Sequence, residues 1–148
     1  MGIIVYLSGK MGGRTGHDVM VERRRAIELC LEHNLQPLDP GKNEHIQDTD
    51  ELISLRVDYP TMKQFVAKDN YAVDHSDVVL VLTGDSTSDG TWYEIGRATY
   101  HCHIPVVMVA PKRVSGELVG FSNIMVDAMF STIEEAVKFI SDNYGGTK

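Results

Sequence analysis

Short runs of apolar residues alternate along this chain with longer stretches in which apolar positions recur at helical spacing. Ile3 to Leu7, Asp77 to Leu82 and Ile104 to Ala110 are near-continuous runs bounded by turn residues, the pattern of strands buried on both faces. Leu35 to Leu38 predicts a shorter second strand, stopped by Asp39-Pro40-Gly41, and Asn123 to Phe130 a loop with a last short strand. Between them, His17 to Asn34 predicts a helix that buries Val19, Met20, Ala26, Ile27, Leu29, Cys30 and Leu31 and turns Glu22, Arg23 and Arg24 outward. Pro60 suits the first turn of a helix running to about His75, with Asp77 capping or ending it, and Thr91 to His101 predicts a further helix. Ser131-Thr132-Ile133-Glu134 reads as a capping box, so that Ser131 starts a final helix ended by Gly145-Gly146. The polar region Lys42 to Tyr59 predicts a loop and a short helix over Thr49 to Leu55, and Pro111 to Gly120 a loop. No internal repeat breaks this order. Strands alternating with helices predict one α/β domain over residues 1–148: a doubly wound, Rossmann- or flavodoxin-like sheet, mostly parallel, of about five strands with helices on both faces.

Composition narrows the partners. A net charge of −7 argues against a nucleic acid polymer, which needs a basic face to offset phosphates. A small anion remains compatible, because backbone amides can cradle phosphate on an acidic protein. Cys30 and Cys102 have neither metal nor redox spacing and read as free thiols of a cytoplasmic protein. The opening apolar run is too short for a secretory segment, and no run approaches membrane-spanning length.

Two segments at the predicted carboxyl edge of the sheet carry candidate chemistry. Gly9-Lys10-Met11-Gly12-Gly13-Arg14-Thr15-Gly16 links the first strand to the first helix. It matches neither a phosphate-binding Walker loop nor a dinucleotide fingerprint. Its glycines would let backbone approach a ligand, with Lys10 and Arg14 supplying positive charge. Ser88-Asp89-Gly90-Thr91-Trp92-Tyr93-Glu94 leaves the third strand and puts Glu94 on the first turn of a helix, where such sheets place ligands. A carboxylate there can bind, act as a base or attack carbon. Of Trp92 and Tyr93, one packs inward and one is free to stack on a flat ring. Asp69, inside the preceding helix, reads on its own as a solvated side chain. His101-Cys102-His103 lacks the further ligands a zinc site needs and reads as a polar turn.

Taken together, these residues resemble the nucleoside 2-deoxyribosyltransferase family over Ile3 to about Ile140. The resemblance rests on Tyr6-Leu7-Ser8-Gly9, on Asp69 before Asp77, on Gly90-Thr91-Trp92-Tyr93-Glu94-Ile95-Gly96, and on Asn123-Ile124-Met125. It implies that Glu94 attacks C1′ of a 2′-deoxyribonucleoside, that Tyr6 orients its carboxylate, and that Asp69 faces the base and delivers a proton to the leaving nitrogen. It also implies that Ser8, Gly9, Lys10, Gly12, Gly13, Ser88, Asp89 and Gly90 contact substrate. Asn123 and Met125 would come from a neighbouring subunit of a homo-oligomer with shared active sites. The expected partners are nucleosides or nucleotides and free nucleobases, with no metal or redox cofactor.

One position departs from the transferase pattern. Where those enzymes carry Asp, six residues before the nucleophile, this chain has Ser88, which resembles the branch that cleaves bases from nucleoside 5′-monophosphates. A serine favours a nearby phosphate that a carboxylate would repel, and Asp89 would reverse that if it turned inward. Asn123-Ile124-Met125 is the transferase form of its motif. Deoxyribosyl transfer, 5′-monophosphate hydrolysis and a non-catalytic nucleotide sensor are the three functions these residues leave open.

Overall fold

The computed structural model describes residues 2–9, 16–39, 62–83, 89–110 and 125–145. The expected helix over Thr49 to Leu55, the start at Pro60 and the loop Pro111 to Gly120 lie outside these residues.

The strands are β1 (Ile4–Ser8), β2 (Gln36–Leu38), β3 (Val78–Leu82), β4 (Val106–Val109) and β5 (Ala128–Phe130). They form one parallel sheet in the order β2-β1-β3-β4-β5. The helices are α1 (Gly16–Glu32), α2 (Met62–Asp74), α3 (Asp89–Gly96) and α4 (Ile133–Asn143). The predicted doubly wound fold is the observed one. The chain leaves β1 for β2 on one side, and β3 joins β1 on the other, so the β1/β3 pair is the topological switch point where such sheets bind ligands.

Each strand serves two cores because its side chains alternate. Val5, Leu7, Leu80, Leu82, Val107 and Val109 point to the face covered by α1 and α4. Tyr6, Val79, Val81, Val106 and Met108 point to the face covered by α2 and α3, where Val73, Ile95 and Ala98 meet them. All five residues of β3 are fully buried, which accounts for its unbroken apolar run. Each such Val or Leu contributes about 1.5–3 kcal/mol by leaving water.

The strand entries at the amino end are latched by two aspartates. The Ile4 amide donates to Asp77 Oδ2 at 2.8 Å, and the Asp77 amide donates back to the Ile4 carbonyl at 2.8 Å. Val106 and Asp127 repeat the exchange at 2.8 and 2.9 Å. Asp77 is therefore a strand latch, not the helix cap expected.

Three other expectations shift. The capping box of α4 uses Thr132 and Glu135, one residue later than expected, because the Thr132 hydroxyl accepts from the Glu135 amide while the Glu135 carboxylate accepts from the Thr132 amide. The helix after β3 starts earlier, at Asp89, and beyond Gly96 it widens into a π-helical turn over Arg97–Cys102, closed by His103 in the left-handed region. That wider turn puts His101 and His103 on the surface. Arg23, expected to face outward, is buried at 4% exposure.

Candidate active site

Three elements converge on Glu94 at the carboxyl end of the β1/β3 pair. Glu94 stands in the second turn of α3, since that helix begins at Asp89. β1 passes beneath it and sends up two side chains. Tyr6 Oη donates to Glu94 Oε2 at 2.8 Å, and Ser8 Oγ donates to Glu94 Oε1 at 2.5 Å. Residues two apart on a strand share a face, so Tyr6 and Ser8 are placed as a pair by the pleat itself. One hydroxyl on each carboxylate oxygen fixes the orientation of the group and suits an anion.

Asp69 enters from α2. Its side chain is 13% exposed, and Oδ1 is buried without a hydrogen-bond partner, though it pairs with the Lys68 ammonium at 3.7 Å. Burial, followed by the charge of Glu94 and a hydrogen bond with it, pushes Asp69 up to about 7. Lys68 and Arg23 oppose that rise. Two facing carboxyl groups cannot both ionise cheaply, so the pair holds a proton near neutrality. Tyr6 is fully buried, and its phenol is held well above the usual range by burial and then by the charges of Glu94 and Asp69, so it remains a donor.

The first loop departs from β1 at Gly9, whose φ is +146°, a conformation that L side chains rarely adopt. A Cβ there would run into the carbonyl oxygen of Leu82 at the end of β3. Gly9 is thus required by backbone packing at the switch point. Beneath it, Arg23 Nη1 donates to the Leu7 carbonyl at 2.8 Å and to Asp39 Oδ1 at 3.0 Å, and Nη2 donates to the Gly9 carbonyl at 3.4 Å.

The structure therefore brings together Tyr6, Ser8, Asp69 and Glu94, with Gly9 alongside. Ser8, expected on substrate, donates to Glu94. The solvated reading of Asp69 is overturned: the residue lies one turn before buried Val73 on the inner side of α2. Gly90 is exposed in the first turn of α3, and Asp89 begins that helix. Trp92 packs against the core while Tyr93 is exposed. Met125 packs against its own chain, with its carbonyl accepting from Thr99 Oγ1 at 3.3 Å and its sulfur beside Gly96. Lys10, Gly12, Gly13, Arg14, Ser88 and Asn123 lie outside the described residues.

Arg23 and Asp39 were missed. The signal for Arg23 was present: with Val19, Ala26 and Cys30 it falls on one helical stripe of α1, whose other members are all buried.

The nucleoside 2-deoxyribosyltransferase family model matches residues 5–129, and the chain belongs to that family. It is an enzyme of the class that transfers glycosyl groups from, or hydrolyses, N-glycosyl compounds. Among solved structures it resembles a 2-deoxyribosyltransferase from Bacillus psychrosaccharolyticus, at TM-score 0.64 and 18% identity over 89% of this chain and 88% of that one. It also resembles a 2-deoxyribosyltransferase from Leishmania mexicana, at TM-score 0.64 and 13% identity over 96% and 99%. A CMP N-glycosidase from Clostridium botulinum superposes at TM-score 0.59 and 14% identity over 95% and 99%. No curated protein sequence is a significant match.

Proposed function

We propose that the protein transfers 2-deoxyribosyl groups between nucleobases through Glu94 as nucleophile. The observation that carries this is a carboxylate with a hydroxyl donor on each oxygen, beside a second, largely buried carboxyl group that burial pushes up to about 7. Glu94 attacks C1′ as the N-glycosidic bond breaks, and its charge stabilises the oxocarbenium-like transition state. Asp69 gives its proton to the leaving ring nitrogen, so the base departs neutral. The product is a glycosyl ester on Glu94 with the sugar's configuration inverted once. A second base attacking C1′ displaces Glu94, and Asp69 takes back a proton. Tyr6 and Ser8 hold Glu94 through both steps.

A second reading, N-hydrolysis of deoxynucleoside 5′-monophosphates, is favoured by Ser88 where transferases of the family carry Asp. Water then replaces the acceptor base. Incubating the protein with deoxyadenosine, thymidine, dAMP or dCMP, each with and without adenine or cytosine, and following bases by chromatography, separates the two. Base exchange on free nucleosides supports transfer; acceptor-independent release confined to monophosphates supports hydrolysis. No turnover of any of them would reject both in favour of a nucleotide sensor.

The shared-site homo-oligomer is part of the same reading, with Asn123 and Met125 closing a neighbour's pocket, as is a cytoplasmic role in nucleotide salvage. A monomer by light scattering that retains full activity would remove the shared site. No helix among the described residues is long and apolar enough to cross a membrane.

A further inference from the structure

We propose that Arg23 is a positioning residue of this active site, holding the exit of β1 in the path that aims the Tyr6 and Ser8 hydroxyls at Glu94. This rests on the reading of Glu94 as nucleophile. Carbonyls alternate along a strand. The Ile3 carbonyl accepts from the Gln36 amide at 2.8 Å, so the Leu7 carbonyl turns to the same side, beyond the end of β2 at Leu38. Arg23 reaches it from α1 and takes the place of a sheet partner. The same guanidinium holds the Gly9 carbonyl and is balanced by Asp39.

The residue between those two carbonyls is Ser8, whose hydroxyl grips Glu94. On its other side the chain lies against the Leu82 carbonyl, as Gly9 shows. The exit of β1 is thus wedged between the end of β3 and a buried cation. A planar fork spreads its donors over separate nitrogens to reach two carbonyls and a carboxylate, which the single nitrogen of an ammonium reproduces only in part.

Arg23 also acts at a distance. Asp69 is faced by Glu94 from α3, Lys68 from its own helix, Tyr6 from β1 and Arg23 from α1, and of these Lys68 and Arg23 favour its charged form. Neutralising Arg23 therefore moves the titration of Asp69 to higher pH.

The test is steady-state kinetics against pH for Arg23→Gln, Arg23→Lys and Glu94→Gln, on whichever nucleoside or monophosphate the wild-type chain cleaves, with thermal melts of each. Arg23→Gln should lower kcat by about 10- to 100-fold. It should leave KM within about threefold and shift the alkaline limb upward, with Arg23→Lys recovering only part of kcat. Either Arg23 variant folded with wild-type kcat and pH profile would overturn the proposal. Loss of folding in both would too, since Arg23 would then be scaffold alone. Glu94→Gln keeps the readings apart: if it stays active, the nucleophile assignment fails, whatever Arg23 does.

Discussion

Helix α2 meets α3 at one acidic position and the π-helical turn beyond α3 at another, and the two contacts are opposite in kind. Near the sheet's carboxyl end Asp69 meets Glu94, acid against acid, with Asp69 Oδ1 buried and without a hydrogen bond and its carboxyl raised to about 7. About a turn further along, Asp74 accepts from Arg97 Nε and Nη2, both at 2.7 Å, and from the Cys102 thiol at 3.2 Å. There the hydrogen bonds from Arg97 bring Asp74 down to about 2. The second contact clamps α2 to the π-helical turn through opposite charges, whereas the first brings two acids together and raises the carboxyl of one of them. The first pair is the less exposed, where charge effects are larger; the second is more exposed, where water does much of the work.

Changes at the first pair should cost activity, and the largest loss falls on Glu94. Glu94→Gln should cut turnover by about 10⁴-fold or more while the melting temperature holds. Trapping of a glycosyl ester by mass spectrometry in the wild type but not the variant checks its role.

Asp69→Asn should come next, with a loss of about 10²- to 10⁴-fold on substrates whose base needs protonation. It should also stabilise the fold at alkaline pH. The folded carboxyl titrates near 7 against an ordinary 3.8, so the native state holds the extra proton and its stability falls as pH rises through that window. Asparagine removes the fall, worth about 1–3 kcal/mol at pH 8 after allowance for the side chain's partial exposure. Denaturant midpoints at pH 5 and pH 8 measure it, and equal midpoint differences at both pH values would break the contrast between the two contacts.

Tyr6→Phe removes one donor from Glu94 and should cost about 10- to 100-fold in kcat, the worth of a hydrogen bond to a charged group. Wild-type kcat in a folded Tyr6→Phe variant would show that Ser8 alone orients the carboxylate.

The smallest effect belongs to the clamp. Asp74 and Arg97 are 30% and 22% exposed, so Asp74→Asn should lower stability by about 1 kcal/mol or less. Its sign is opposite to that at Asp69: a depressed carboxyl stabilises above its ordinary range, and that stability fades as pH falls toward 2. Melts from pH 7 down to pH 3 should converge for wild type and variant.

Much of this architecture was legible because it is written in periodicity. β3 is buried on both faces and reads as one apolar run. The boundaries moved where hydrogen bonds decide them: Thr132 outcompetes Ser131 as cap because Glu135 can return the bond, and the π-helical turn after Gly96 has no apolar period to announce it. Glu94 was found through its place beyond the end of β3, and Tyr6 through the family resemblance. Arg23 was misread because its charge was weighed ahead of its place in an apolar stripe, while Asp69 read as solvated on its own and was placed at the site only by the family resemblance.

The order of apolar runs and helical stripes was enough to determine a parallel sheet with two cores and a ligand edge, since burial repeats with the period of each element. Which carboxyl group meets which was decided only in three dimensions. Asp69 and Glu94 come from different helices, and the Asp69 carboxyl is raised because folding partly removes it from water and sets it beside Glu94. No residue's identity carries that information; the distance and the dielectric between them do.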